Sequence, residues 1–266
     1  MIVTTEGIIF KQIKTVNGRR MIQIFSKTYG KISAGTGISE KARGKSSLAI
    51  RPFTYGKYEL YKNNDRFNIN GGETIKSFYS LGEDIDKYMY GSFVLELTEK
   101  LLPENVPSQK VFVLLCDFLE ELEKRKKKYD TLLIAYEIKV LKELGYMPNL
   151  GKCKKCNSRE GLEFFDVKEG GVYCEKCGKD EINLRADSLI YRINTSIIDI
   201  IKYFSNNPFS SFRKLALKDD MAVKINRLLR DFIEYHLDIG ELKSGYFLSD
   251  NLYKEEGKNG NYIGKN

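Results

Sequence analysis

Two Cys-x-x-Cys pairs, Cys153-Lys-Lys-Cys156 and Cys174-Glu-Lys-Cys177, stand 17 residues apart in this sequence. That spacing is a four-thiolate metal signature, and tetrahedral zinc is its natural occupant. Each pair sets two sulfurs on one tight turn, and the chain from Asn157 to Tyr173 is long enough to run out and back as a short hairpin that joins them. Four thiolates leave the ion no position open for water or substrate. The expected zinc is therefore structural, holding a small knuckle that cannot bury a core of its own. A redox dithiol or disulfide pair is the competing reading.

Other residue types that do chemistry are sparse. The single histidine, His236, lies in a helical stretch without a matching serine or cysteine motif and reads as a surface or packing residue. Gly44-Lys45-Ser46 invites a phosphate-loop reading, but the full motif needs a glycine where Ser39 stands, and Gly37 falls too early. No nucleophile elbow, His-Glu-x-x-His or two-metal carboxylate group is apparent, so no catalytic residue is assigned. The fifth cysteine, Cys116, sits in the apolar run from Val111 to Leu119 and reads as a small buried hydrophobe.

The elements that must carry these residues divide the chain in two. With 266 residues and 42 % hydrophobic content it has room for about two domains. Neither a charged leader with an apolar run nor an apolar stretch near about 18 residues is present, so a cytosolic protein is expected. Residues 1–80 carry 14 Lys or Arg against 5 Asp or Glu, whereas residues 81–266 carry 30 against 31. A positive field confined to the first domain points to a polyanion partner, with a basic surface kept for solubility as the alternative.

Within residues 1–80 the pattern is of short strands: Ile8 to Phe10 and Met21 to Phe25 flanking the hairpin turn Asn17-Gly18, then Lys31 to Ala34, Ser47 to Ile50, Tyr55 to Tyr61 and Arg66 to Ile69. A small barrel accommodates them. The Gly-rich segment from Gly35 to Ser46 reads as a mobile basic loop carrying Lys41, Arg43 and Lys45, and no helix is expected to begin at Lys45. On a strand over 55–61, Tyr55, Lys57 and Tyr61 share one face and Tyr58 and Leu60 the other, so the first set can stack bases if it is not packed as core.

After Gly82 the hydrophobic period changes to about 3.6. Helices are expected over Ile85 to Leu102, Gln109 to Lys128, Thr131 to Leu144, Ser196 to Phe204 and Met221 to Leu237, with a short polar link after Cys177. The basic run Lys124 to Lys128 reads as a solvated helix end rather than a second nucleic-acid contact. The expected plan is thus α+β: a strand-rich domain over 1–80, a helical domain over 81–245 with a four-cysteine zinc knuckle inserted at 151–181, and a flexible tail over 246–266.

The chain resembles the bacterial recombination mediator RecO family along nearly all its length. The stretches that carry the likeness are Glu6-Gly-Ile-Ile-Phe10, Tyr29-Gly-Lys-Ile-Ser33, Arg51-Pro-Phe53, Glu137 through Leu144-Gly-Tyr146 with Pro148-Asn-Leu150 and Cys153-x-x-Cys156, and Arg230 through Leu237 running to Leu242-Lys-Ser244. The resemblance implies that the barrel is an OB-fold. It implies ATP-independent binding of single- and double-stranded DNA, annealing of strands coated by single-strand-binding protein, and action with RecR to help load RecA. It places the protein in the cytoplasm at the nucleoid, with no membrane partner and the acidic tail of single-strand-binding protein among its contacts. Gly37 and Glu40 stand where relatives are often basic, so the carry-over is best supported at Lys41, Arg43 and Lys45. The candidate nucleic-acid contacts are Arg19, Arg20, Lys31, Lys41, Arg43, Lys45, Arg51, Tyr55 and Lys57. A competing reading is a zinc-ribbon adaptor whose basic barrel binds RNA or an acidic protein tail.

Overall fold

The structure, a computed structural model, describes residues 1–15, 20–39, 44–64, 66–184, 189–245 and 248. The expected turn Asn17-Gly18, the candidates Arg19, Lys41 and Arg43, and all of the expected tail except Leu248 lie outside them. The chain forms two compact units, Met1–Arg125 and Lys126–Asn266.

In the first unit the strands are β1 (Ile2–Lys14), β2 (Arg20–Ser26), β3 (Gly30–Thr36), β4 (Thr54–Asn63) and β5 (Arg66–Ser77), with α1 (Lys45–Ala49) between β3 and β4. Among the described residues they close into a barrel of order β1-β2-β3-β5-β4, antiparallel except for β3 with β5. This is the connectivity of a small OB-like barrel. Alternating residues fill it: Ile22, Ile24, Ile32, Ala34, Tyr58, Leu60, Phe67 and Ile69 point inward, joined by Ala49 and Ile50 from α1 and its end. The stretch Ser47 to Ile50, expected as a strand, is therefore helix and the residue after it. Its burial explains the difference: the adjacent residues Ala49 and Ile50 both enter the core, whereas a strand would turn them to opposite faces.

β1 departs from strict alternation, because Ile8, Ile9 and Phe10 are all buried and a bulge lies between Ile9 and Lys11. Its outer side is covered. Two further helices, α2 (Ile85–Leu101) and α3 (Gln109–Lys124), belong to this unit, and Phe112 of α3 packs edge-on against Phe25 and Tyr55 at 5.4 and 5.7 Å. The compact division thus falls later than the change of hydrophobic period after Gly82. The link from α2 to α3 also borders β3: Gly30, at φ +72°, leaves no room for a side chain, since a Cβ there would lie 2.2 Å from the Val106 carbonyl oxygen. α3 ends at Lys124 rather than Lys128; Leu122 is its last buried apolar residue, and the backbone turns extended at Arg125, at φ −76° and ψ 144°.

The second unit holds α4 (Tyr129–Glu143), β6 (Asn149–Cys153), β7 (Leu162–Asp166), β8 (Gly171–Cys174), α5 (Glu175–Leu184), β9 (Ile190–Arg192), α6 (Thr195–Asn206) and α7 (Asp219–His236). Helices α6 and α7 pack on α4, whose residues from Asp130 to Ile138 are buried without a break. The expected hairpin is present as β7 and β8 but lies within a four-stranded sheet of order β6-β8-β7-β9. That sheet has buried side chains of its own, Phe165 and Val172 with Val167 just beyond β7, contrary to the expectation of a coreless knuckle. α7 completes the packing, with Phe232 against Phe165 at 6.0 Å. The polar stretch after Cys177 is helix α5, not a link. Among the described residues no helix is long and apolar enough to cross a membrane.

Candidate metal centre and nucleic-acid interface

Cys153 closes β6 and Cys156 follows on a tight turn, in which the Asn157 amide donates to the Cys153 carbonyl at 2.9 Å and Asn157 takes a left-handed φ of +61°. Cys174 ends β8 and Cys177 lies in the first turn of α5. Gly178 lets that helix press onto the sheet, for a Cβ there would meet the Phe164 ring at 2.3 Å. The outcome is four sulfurs all within 4.8 Å of one another, with Cys156 and Cys174 3.7 Å apart. A tetrahedral ion with metal–sulfur bonds of about 2.3 Å separates its ligands by about 3.8 Å, so this set fits a closed four-thiolate site. The sulfurs are free thiols, not disulfides.

The electrostatics fit as well. Burial works against ionising Cys153, but the backbone N–H groups of Cys156, Cys174 and Lys155 donate to its sulfur and bring the thiol down to about 6. Burial, together with its three sulfur neighbours, pushes Cys177 up to about 12. Thiolates this close repel one another, and a divalent cation is what allows all of them to lose their protons. The four cysteines can hold a metal ion. Lysines beside them are engaged locally: Lys154 pairs with Glu169 at 3.3 Å, Lys155 with Glu181 at 3.1 Å and Lys179 with Glu175 at 2.7 Å. His236 packs its ring 4.3 Å from Phe232 and sets Nε2 2.7 Å from the Val167 carbonyl, tying α7 to the sheet. Cys116 is half-buried, and burial pushes its thiol up to about 12.

On the barrel the candidate contacts separate into two groups. Lys45 and Arg51 stand at the two ends of α1, exposed and without a partner among the described residues; Lys57 is exposed on the outer face of β4, in register with Glu6 and Glu73. The other three are occupied. Lys31 donates to the Glu99 carbonyl at 2.8 Å and pairs with Glu104 at 3.3 Å. Arg20 donates to the Ile38 carbonyl at 2.8 Å and to Oε1 of Gln12. The Tyr55 hydroxyl donates to Glu6 at 2.7 Å while its ring lies under Phe112. Burial and then the Glu6 contact hold the Tyr55 phenol well above its usual range, and the hydroxyl of Tyr55 with the ammonium of Lys27 holds the Glu6 carboxyl below its own. Tyr55 thus faces outward as its strand parity requires, yet what it meets is α3, not solvent.

Two residues of consequence do not stand out in the sequence: Gln12, whose Nε2 donates to the Ile50 carbonyl at 2.7 Å, and Tyr58, whose hydroxyl donates to the Ala49 carbonyl at 2.6 Å. Both fasten α1 to the barrel. The available signals are a polar Gln12 close to the apolar residues of β1 and a phenol at an inward position of β4.

A family model described as Recombination protein O N terminal matches residues 1–78, and one described as Recombination protein O C terminal matches residues 82–245. The DNA repair protein RecO of Alkaliphilus metalliredigens is 28% identical over 239 residues, covering 90% of this chain and 95% of that protein. That of Pelotomaculum thermopropionicum is 28% identical over 244 residues, 91% of this chain and 92% of its own. That of Thermoanaerobacter sp. is 24% identical over 246 residues, with 92% and 96% covered. Both halves of the chain match in order, and the two models meet where the strand pattern gives way to the helical one. The chain belongs to the recombination protein O family.

Proposed function

We propose that this protein binds single- and double-stranded DNA through its barrel, anneals complementary strands coated by single-strand-binding protein, and acts with RecR to help load RecA. The observation that carries this reading is the pair of exposed cations, Lys45 and Arg51, without a partner among the described residues, at the two ends of a helix that is itself fixed in the barrel core. Fixed cations neutralise phosphates at little ordering cost, and two strands brought together on them repel less. Lys57 adds an exposed cation on β4, and Lys41, Arg43 and Arg19 join the basic set by their sequence alone. Between β2 and β3 the outward residues Met21, Gln23, Ser33 and Gly35 leave a largely uncharged strip that suits a strand lying across an OB-like barrel.

The four cysteines hold structural zinc in this reading, and no side chain is assigned a bond-breaking role. Zinc supplies folding energy to the second unit, in the cytoplasm at the nucleoid, while the first unit meets DNA. Replacing Lys41, Arg43 and Lys45 together by Ala tests the interface. Affinity for a single-stranded oligonucleotide should fall, and the slope of log affinity against log salt should flatten by up to about 0.7 for each phosphate no longer neutralised. An unchanged slope removes this segment from the interface. Annealing of strands coated by single-strand-binding protein, with and without RecR, tests the mediator role directly.

A further inference from the structure

We infer that Gln12 and Arg20 are positioning residues for the DNA contacts: a clasp that holds the end of α1 at Ile50 and so presents Arg51 and, through the helix, Lys45, without touching nucleic acid. The inference rests on the proposed DNA-binding reading.

The geometry is a chain of three hydrogen bonds. Arg20, the first residue of β2, uses one Nη to reach the Ile38 carbonyl at 2.8 Å, on the stretch that leaves β3. Its other Nη donates to Oε1 of Gln12, its near neighbour across the β1–β2 pair, where Gln12 registers with Ile22 and Lys14 with Arg20. The Gln12 amide then directs its own N–H to the Ile50 carbonyl at 2.7 Å, immediately before Arg51. One guanidinium and one carboxamide thereby link the β1–β2 pair to the chain on either side of α1. The roles are chemically restricted. A guanidinium can donate in two directions from one plane, whereas an ammonium is a point donor, and a carboxamide accepts at one atom while donating from the other. Arg20→Lys therefore keeps the charge but cannot span the two acceptors, and Gln12→Ala removes no charge at all.

The opposing reading is that Arg20 is itself a phosphate contact, and the two readings differ in their salt dependence. Loosening α1 adds an ordering cost to binding at every salt concentration, which lowers affinity in parallel, while removal of a phosphate contact changes the slope. The experiment compares wild type, Gln12→Ala, Arg20→Lys and the double variant Lys45→Ala/Arg51→Ala on a single-stranded oligonucleotide over a salt series, with amide hydrogen exchange over 44–51 as a readout independent of DNA. Gln12→Ala and Arg20→Lys are each expected to weaken binding about three- to tenfold and to speed exchange in α1. Arg20→Met, run alongside because it deletes the charge that Arg20→Lys keeps, is expected to leave the slope unchanged as Gln12→Ala does; a flattened slope in Arg20→Met makes Arg20 a phosphate contact and overturns the clasp. The Lys45/Arg51 double variant should weaken binding and flatten the slope. If it does neither, the DNA-binding reading of this surface fails, whatever the clasp does. If it does both while either Gln12→Ala or Arg20→Lys binds like wild type, the clasp is overturned.

Discussion

The cysteine centre and the basic face of the barrel are both legible as residue types at a spacing, and they fare differently in three dimensions. Four sulfurs named from two short motifs lie within 4.8 Å of one another. Of the described cations and rings named for the barrel, Lys45, Arg51 and Lys57 stand exposed, while Lys31, Arg20 and Tyr55 are engaged in internal contacts. Two cysteines with two residues between them constrain each other through the backbone, so their geometry is local. A lysine on a strand reaches several ångströms, and what it meets depends on helices far along the chain. Local geometry survives translation from sequence to structure; the employment of a long side chain does not.

The largest expected effect tests the first half of that contrast. Cys174→Ser removes one ligand of the centre and should destabilise the second unit by several kcal/mol with release of metal, because binding energy there is folding energy. Oligonucleotide affinity per folded molecule should change little. Metal analysis, denaturant unfolding and binding on the same preparation check this, and a fall in DNA affinity without unfolding would make the centre part of the interface. Next in size is Tyr55→Ala. Removing a ring packed on Phe112 should cost about 3 kcal/mol, while Tyr55→Phe, which forfeits the bond to Glu6, should cost about 1 kcal/mol. Neither should change the salt slope; weakened binding by Tyr55→Phe at full stability would return Tyr55 to the DNA face.

How much of the molecule the sequence discloses follows the same line. Barrel strands are visible because alternation is a property of neighbours: Tyr58 and Leu60 inward and Lys57 outward follow from period two alone. Helix α1 is not, because five residues are too few for a 3.6-residue period to show, and its burial is imposed by the barrel it enters. Helix α5 is hidden by its polarity; only Cys177, Gly178 and Glu181 are buried on it, and sulfur geometry more than an apolar stripe gives it a place. The cover of α3 over Phe25 and Tyr55 depends on a contact between distant segments, which no local pattern holds.

Glu137 extends the contrast to a charge that the sequence presents as one more acid on an ordinary helix. It is buried on α4, and burial raises its carboxyl to about 8, with Arg230 acting in the opposite direction. A carboxyl whose folded value lies above its unfolded one binds a proton preferentially in the native state. Its contribution is therefore complete below the ordinary carboxylate range and is lost as pH rises through about 8. Between pH 6.5 and pH 8.5 denaturant stability should fall by about 2 kcal/mol more in wild type than in Glu137→Gln. Parallel curves would show that Glu137 is ionised throughout and paired more strongly than burial penalises it.

Lys31 gives the smallest effect and the most direct test of the second half of the contrast. Its side chain is only 13% exposed, the ammonium donates to the Glu99 carbonyl at 2.8 Å, and its own carbonyl accepts from the Asn105 amide at 2.9 Å. The pairing with Glu104 adds little, because that carboxylate is 56% exposed and screened by solvent. Lys31→Met keeps the aliphatic stem and deletes the donor, so it should cost about 1 kcal/mol and leave the salt slope of DNA binding as it was. A phosphate contact gives the reverse pattern, stability retained and the slope reduced by about 0.7 to 0.9. In that case the bond to Glu99 must open on binding, and the occupied cations of the barrel would be a reserve for DNA instead of part of its framework.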